Sequence, residues 1–331
     1  MKVAIIILNW NGQSLLQKFL PSVINYSQDL ADVYVADNAS TDNSIEFIST
    51  EFPSVKIIKN SQNFGFANGY NVALKNVDAD IFCLLNNDIE VTKNWLNPIL
   101  QEFQTNNQTA IIQPKILNYN TKSDFDHAGA AGGFVDKYGY PYCRGRIFNT
   151  IEKDLGQYNQ ACDIFWASGA CLFIKSESYW QLNGLDPHFF AHMEEIDLCW
   201  RAFSNNLKAK FIGNSVVYHV GGATLSESNP RKTYLNFRNS LFMLTKNLPK
   251  KSLALIIISR LILDGIAGIK FLIQLQPLHT LAVIKAHFGY YGHLRFLLKQ
   301  RIDLTNQKKY YTKSSIVWSY YVLNKQTFNS L

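Results

Sequence analysis

Three features of the sequence predict an α/β fold built on a mostly parallel sheet flanked by helices. Short apolar runs recur at residues 3–8, 32–37, 55–58 and 80–85, each too brief for a helix. Helix-like stretches lie between them, at about 13–27 and, after Ser40, at about 42–51, where "STDNS" offers N-cap residues. Each apolar run also ends in a polar loop: "NWNG", "DNAST", "NSQNFGFANGYN" and "NNDIE". Strands that alternate with helices pair in parallel through right-handed crossovers, and ligands bind beyond the carboxyl ends of such strands. Four polar loops on one sheet edge would line a single site.

The first run, Val3 to Leu8 in "MKVAIIILNWNG", follows a lysine as a secretion signal would. It stops at Asn9-Trp10-Asn11-Gly12 without a small-residue cleavage site, so it reads as a buried strand, and the expected location is cytoplasmic. Cys83, Cys143, Cys162, Cys171 and Cys199 are odd in number and form no CxxC pair. That argues for a reducing compartment and against a disulfide framework or zinc ribbon. Apolar residues make up 47% of the 331 positions and charged ones 17%, a globular rather than disordered balance. No GxGxxG follows the first run and no GxxxxGK[ST] occurs, which removes the main support for dinucleotide and P-loop sites.

The run "FCLLNNDIE", residues 82–90, breaks into two amides and two carboxylates, more than a plain Asx turn needs. Further on come "WASGACLFI", "DPHFFAHMEEIDLCWR" and "VVYHVGG", within about 161–224; from about 230 the pattern is helical, apolar and basic. Taken in order, "VAIIILNWNG", "VYVADNASTDNS", "NFGFANGYN", "LLNNDIE", "WASGACLFI", "FFAHMEEIDLCWR" and "VYHVGGAT" resemble the family 2 glycosyltransferases of the GT-A fold. The likeness is greatest to the rhamnosyltransferase-like branch of bacterial surface-polysaccharide synthesis. It covers roughly residues 1–240, so the expected division is a catalytic domain over 1–240 and a helical C-terminal region over 241–331.

The resemblance implies a metal-dependent, inverting transfer from a dTDP- or UDP-sugar, with Mg²⁺ or Mn²⁺, to a hydroxyl of a glycan or lipid-linked glycan. By the same matches Asp37 accepts from N3–H of uracil or thymine; the plainer reading is an Asx cap within "DNAST". Asn9 and Asn11 sit where amides could frame the base. Asn63, Gly65, Gly69 and Asn71 fit a loop whose glycines let backbone approach a ligand. "NND" matches the family's variant of its DxD motif, so Asn87 faces the ribose and Asp88 ligates the cation, diphosphate oxygens supplying most other ligands. His219 completes the metal or diphosphate site, or is a hydrogen-bonded histidine at a strand end.

The candidate catalytic acids are Glu195, Glu194 and Asp197. Glu194-Glu195 aligns with a Glu-Asp pair whose second member is the general base, which favours Glu195, with Glu194 as runner-up. Asp197 shares a helix face with Glu194 and would orient the helix through Arg201. Glu in place of the usual Asp adds a methylene, and an adjacent like charge would raise the carboxyl pKa and make a better base. Trp166 either stacks on a sugar or fills core, and His127 lies in a loop without an assigned role.

Residues 246–331 hold 13 Lys/Arg and 2 Asp/Glu, a net +11 against −4 for the remainder. The stretch 253–275 is apolar, but Arg260, Asp264 and Lys270 interrupt it, so it is expected to lie on an anionic cytoplasmic leaflet without spanning. Lys246, Lys250, Lys251, Arg295, Lys299, Arg301, Lys308 and Lys309 are the expected contacts. The alternative is a helical bundle packed on the body or forming a homodimer. Nucleic acid is not expected, since apolar interleaving fits lipid or packing equally well. The functional alternative is a non-catalytic subunit that binds nucleotide-sugar or glycan, suggested by the Asn-for-Asp and Glu-for-Asp departures.

Overall fold

The computed structural model describes residues 1–221, 229–301 and 309–331. Gly222 to Thr224 of the "VYHVGGAT" motif and Lys308 lie outside them. The chain opens with β1 (Val3–Asn9), α1 (Gln13–Ser27), β2 (Asp32–Asp37), α2 (Ser44–Glu51), β3 (Lys56–Lys59), α3 (Gly65–Leu74) and β4 (Ile81–Asn86). β1 pairs in parallel with β2 and β4, and β2 with β3, so these strands end at one edge. Alternate residues of β1 serve two cores. Ala4 and Ile6 pack in a cluster with Ala67 and Tyr70 of α3, while Val3, Ile5 and Ile7 pack with Leu16, Leu20 and Val23 of α1.

There follow β5 (Ile89–Val91), α4 (Leu96–Thr105), β6 (Thr109–Asn118), β7 (Gly133–Val135), β8 (Pro141–Cys143), β9 (Arg146–Ile147), β10 (Thr150–Ile151), β11 (Cys162–Ile164), β12 (Cys171–Lys175), α5 (Ser176–Gln181), α6 (Glu194–Ser204) and β13 (Lys208–His219). Among the described residues the main sheet runs β11-β13-β6-β12-β4-β1-β2-β3, with β5 on β13. The parallel expectation holds from β3 to β4. Beyond β4, β12 lies antiparallel to both β4 and β6, because the chain enters β12 where β4 ends: Asn86 N–H donates to Ala170 O at 3.0 Å. A second antiparallel sheet, β7 to β10, was not anticipated; its strands of two or three residues are too short to show a period. The expected loop "NFGFANGYN" is instead the start of α3, begun by Asn63 Oδ1 accepting Gly65 N–H at 2.9 Å.

The C-terminal region comprises α7 (Pro230–Asn247), α8 (Lys250–Ile273), α9 (Pro277–Lys299) and α10 (Ile316–Tyr321). The division expected at residue 240 falls inside α7, and Leu241 to Leu244, Ile256, Tyr290 and Leu297 share one hydrophobic cluster with Ala4. Two expected membrane contacts are excluded by packing. Lys246 is buried in ion pairs with Asp186 and Asp197, and Arg301 donates to the carbonyls of Thr245 and Leu248. Two of the three charges that interrupt α8 in sequence are likewise turned inward: Arg260 lies 3.9 Å from the centre of the Tyr140 ring and donates to Tyr138 O, and Asp264 is fully buried, whereas Lys270 is exposed. The outward face carries Leu255, Ile258, Ile262, Ile266, Ile269 and Ile273, each more than half exposed.

Trp166 fills core: it is buried and its Nε1 donates to Phe134 O at 2.9 Å. A Cβ at Gly133 would stand 2.1 Å from its indole. Gly133→Ala is expected to lower stability by about 1–3 kcal/mol through overpacking, read as a lower urea midpoint at unchanged slope.

Candidate active site

Asn9, the last residue of β1, is fully buried and ties the first two loops together. Its Nδ2 faces Asp37 Oδ1 at 3.3 Å, Ser40 Oγ at 3.2 Å and Ser44 Oγ at 3.1 Å, and its Oδ1 accepts from Asn87 Nδ2 at 3.2 Å. Asn9 thus holds Asp37 and Asn87 in place and has no surface left to frame a base. Gly12 permits this closeness, since a Cβ there would lie 2.4 Å from both Asn9 Oδ1 and Asn87 Nδ2. Asp37 Oδ2 also accepts from Ser40 N–H at 3.0 Å, the Asx cap weighed from sequence. Asn11 is exposed, and its Oδ1 receives Thr41 N–H at 2.7 Å.

A second amide network lies behind the end of β2. Asn38 Nδ2 donates to Asn63 Oδ1 and to Gly65 O, both at 3.0 Å, and its Oδ1 accepts from Asn60 Nδ2 at 3.1 Å. Space beside Gly65, whose φ is +74°, is taken by the Phe190 ring at 2.6 Å from a would-be Cβ. Gly65 therefore admits a side chain, not a ligand. Asn71 is also a strut: its Nδ2 donates to Leu185 O at 2.6 Å, and its Oδ1 accepts from Tyr179 Oη at 2.6 Å and Leu185 N–H at 3.0 Å. With both side-chain polar atoms engaged, Asn71 is a strut rather than a ligand contact.

Asp88 follows β4, and β13 pairing with β5 sets His219 opposite Ile89. His219 Nε2 stands 3.2 Å from Asp88 Oδ1, and its Nδ1 pairs with Asp126 Oδ1 at 2.9 Å. Burial alone would lower the His219 pKa, but the two carboxylates outweigh it and lift the value to about 10. Asp88 Oδ1 is buried without a well-aligned hydrogen-bond donor. A divalent cation would fit this donor set by replacing the His219 Nε2 proton: a buried carboxylate oxygen short of partners then stands beside a neutral imidazole whose other nitrogen is fixed by a carboxylate. Among the described residues no three His, Cys, Asp or Glu side chains converge as a complete metal cage. Most ligands would have to come from a bound diphosphate.

The acids of α6 differ sharply. Asp197 is fully buried and takes Arg201 Nε at 2.8 Å, Lys246 Nζ at 2.9 Å and Asn247 Nδ2 at 2.7 Å. Burial would raise its pKa, yet Lys246 and Arg201 hold it below the usual range. It orients the helix through Arg201, as expected, and as a catalytic acid it is ruled out, because no oxygen is free. Glu194 is buried with no partner on Oε2, and desolvation with the Glu195 charge raises its carboxyl pKa well above the usual range. Glu195 is half-buried; burial lifts its carboxyl to about 7, against backbone N–H groups that pull it down. The cause is desolvation rather than the adjacent like charge inferred from sequence. Its Cβ lies 3.9 Å from the position a Gly169 side chain would occupy, next to Ala170, whose carbonyl binds the end of β4. Glu195 and the Asn87–Asp88 loop thus flank one stretch, residues 168–170.

The sequence profile of glycosyl transferase family 2 matches residues 4–182, more than half of the chain. The chain belongs to glycosyl transferase family 2. It is similar to the low-salt glycan biosynthesis hexosyltransferase Agl10 of Haloferax volcanii, 24% identical over 260 residues, or 76% of this chain and 78% of that one. The N-acetylglucosaminyl-diphospho-decaprenol L-rhamnosyltransferase of Mycobacterium tuberculosis is 21% identical over 220 residues, 62% and 71% of the two chains. Among solved structures, S. aureus TarS 1-349 with UDP-GlcNAc superposes with a TM-score of 0.56 at 13% identity, covering 95% of this chain and 100% of that one. The Pyrobaculum calidifontis mannosyltransferase PcManGT with GDP-Man and Mn²⁺ gives 0.54 at 12%, covering 87% and 86%. GalNAc-T7 with UDP, GalNAc and Mn²⁺ gives 0.57 at 16%, covering 74% of this chain but 48% of that chain, about half its length. These likenesses establish the GT-A fold.

Several residues of this glycosyltransferase's site escaped sequence reading. Asp126 adjoins His127, which was weighed while Asp126 was not; its pairing with His219 across 93 positions leaves no local mark. Asn38 and Asn60 lie inside the quoted polar loops and carry no mark that separates them from their neighbours. Asn9→Ala, which strands several buried polar atoms, is expected to cost about 1–3 kcal/mol in urea unfolding.

Proposed function

We propose that the protein moves a sugar, with rhamnose as the first choice, from a dTDP- or UDP-sugar to a hydroxyl of a glycan or lipid-linked glycan in surface-polysaccharide synthesis, with inversion. The observation that supports this most is Glu195: a carboxyl whose buried Oε2 has no hydrogen-bond partner, on a residue whose Cβ lies beside Gly169, next to the Ala170 carbonyl that binds the end of β4. Asp37 reads the base, Asn87 faces the ribose, and Asp88 with His219 holds Mg²⁺ or Mn²⁺. The cation would supply Lewis-acid neutralisation of the departing diphosphate. Glu195 takes the proton of the acceptor hydroxyl as it attacks the anomeric carbon and the nucleoside diphosphate leaves.

The C-terminal hairpin would keep the enzyme on the cytoplasmic face of a membrane, where a lipid-linked acceptor lies. The exposed α8 stripe is matched on α9 by Leu278, Leu281, Ile284, Phe288 and Tyr291. The single carboxylate in 250–301, Asp264, is buried, so the exposed charges of this segment are cations: Lys250, Lys251, Lys270, Lys285, Arg295 and Lys299. A symmetric dimer through this face would bring like charges together, whereas an anionic leaflet complements them. By length and composition α8 is able to cross a membrane, but its inward Arg260 and Asp264 are committed to the protein body, which supports a surface-lying helix.

UDP or dTDP is expected to raise the melting temperature only with Mn²⁺, and Asp88→Asn to abolish that metal requirement. Glu195→Gln should leave nucleotide binding intact and cut turnover at least about 100-fold; normal turnover would refute the base assignment. Because a raised carboxyl is protonated and idle at low pH, wild-type turnover should rise with pH through about 7. In sedimentation with vesicles, the protein should pellet with phosphatidylglycerol-containing membranes at low salt. Ile262→Asp with Ile266→Asp should leave it in the supernatant, while a salt-insensitive dimer that ignores vesicles would overturn the membrane reading.

A further inference from the structure

The segment 186–193 delivers the acids of α6, and its backbone is strained. Phe190, His192 and Met193 have φ of +66°, +70° and +71°, left-handed values that side chains other than glycine adopt at a cost. Met193 is the residue before Glu194, so the path of this turn sets where the first turn of α6 points. Such a conformation persists only where surroundings over-determine it.

Those surroundings come from α7. Asn239 is fully buried, and its Nδ2 faces three carbonyls of the strained segment: Phe189 O at 2.9 Å, Ala191 O at 2.8 Å and His192 O at 2.8 Å. Its Oδ1 accepts from Arg238 Nε at 2.9 Å, which fixes the amide with its NH₂ toward the turn. Arg238 Nη2 adds contacts to His188 O at 3.1 Å and Phe189 O at 3.2 Å. On the other side, Phe190 O accepts from Phe66 and Ala67 N–H at the start of α3. An amide donor ringed by carbonyls has no apolar or acidic substitute, since a carboxylate there would repel all three.

We propose that Asn239, oriented by Arg238, is a positioning residue that holds the turn before α6 and so aims Glu195 at the acceptor hydroxyl. The proposal rests on the reading of Glu195 as general base. On this view the C-terminal region is part of the machinery of transfer as well as a means of attachment.

The test uses the full chain, with release of UDP or dTDP from UDP-GlcNAc and dTDP-rhamnose as the activity probe and Mn²⁺-dependent melting shifts by UDP and dTDP as the binding probe. Asn239→Ala should lower kcat at least 30-fold with the nucleotide shift and donor KM unchanged. Arg238→Ala, a milder change that remains informative if Asn239→Ala folds poorly, should lower kcat about 3–10-fold in the same pattern. In the Glu195→Gln background either substitution should cost less than about twofold more, because its route of action is already gone. A readout without turnover is the ¹³C shift of the Glu195 carboxyl, assigned by its loss in Glu195→Gln. Its midpoint should fall from near 7 toward an ordinary glutamate value in Arg238→Ala. Unchanged kcat and an unchanged midpoint in both variants overturn the positioning role while Glu195→Gln stays inactive and the base reading stands. An active Glu195→Gln overturns both.

Discussion

Asp197 has no surface of its own, and the arrangement of the site follows from that. A carboxylate out of water must be paired, and removing one partner of such a group costs about 3–5 kcal/mol. Its partners come from two places: Arg201 one turn along α6, and Lys246 with Asn247 at the end of α7. Lys246 also reaches Asp186 Oδ2 at 2.6 Å, and Asp186 in turn accepts from His188 N–H at 3.0 Å. The turn at 186, helix α6 and helix α7 are therefore one electrostatic unit. Glu194 and Glu195 sit on its front, at the start of a helix whose pitch and rotation that unit fixes.

The same economy of charge separates the acids by role. Asp197 has two cations and stays ionised as a scaffold. Asp88 has His219 beside it, itself held by Asp126, and faces the sheet edge where β1, β2 and β4 end. Glu195 has no cation within reach of a salt bridge among the described residues and is half-buried, so its carboxyl moves toward neutral pH. On the proposed reading, three acids in three surroundings serve as a strut, a ligand and a base, a separation set by environment rather than residue type.

How far this was legible follows the range of the interactions. The ends of β1, β2 and β4 could be read because an apolar run and its polar loop are adjacent in sequence, and parallel pairing then gathers those loops. The acids of α6 could be found by their cluster but ranked only through the family resemblance, since the contact that sets Asp197 apart comes from Lys246, 49 positions away. Amides were the hardest. Asn9 and Asn71 look like ligand contacts and are struts, while Asn239 drew no notice between Arg238 and Ser240 in a helix of mixed polarity. A buried amide and a ligand-facing amide have the same letter, and only the carbonyls around them tell them apart. Lys246 and Arg301 were misread for the same reason, as surface cations rather than links to Asp186, Asp197 and two backbone carbonyls.

Helix α8 shows how averaging along a helix hides its sides. Arg260 and Asp264 interrupt the apolar run in sequence, yet both face inward, so the outward stripe from Leu255 to Ile269 carries no charge and Lys270 meets it only near its end. Thr245 of α7 hydrogen-bonds Tyr290 of α9 at 2.9 Å, and Arg301 binds carbonyls at 245 and 248, so the hairpin braces the same helix whose Asn239 and Lys246 grip segment 186–197. A hairpin that served for attachment alone would need no buried polar link to α7, because apolar packing would hold it. Its polar links instead register α7 against α9 at one rotation, and that registration keeps the Asn239 amide and the Lys246 ammonium opposite their acceptors.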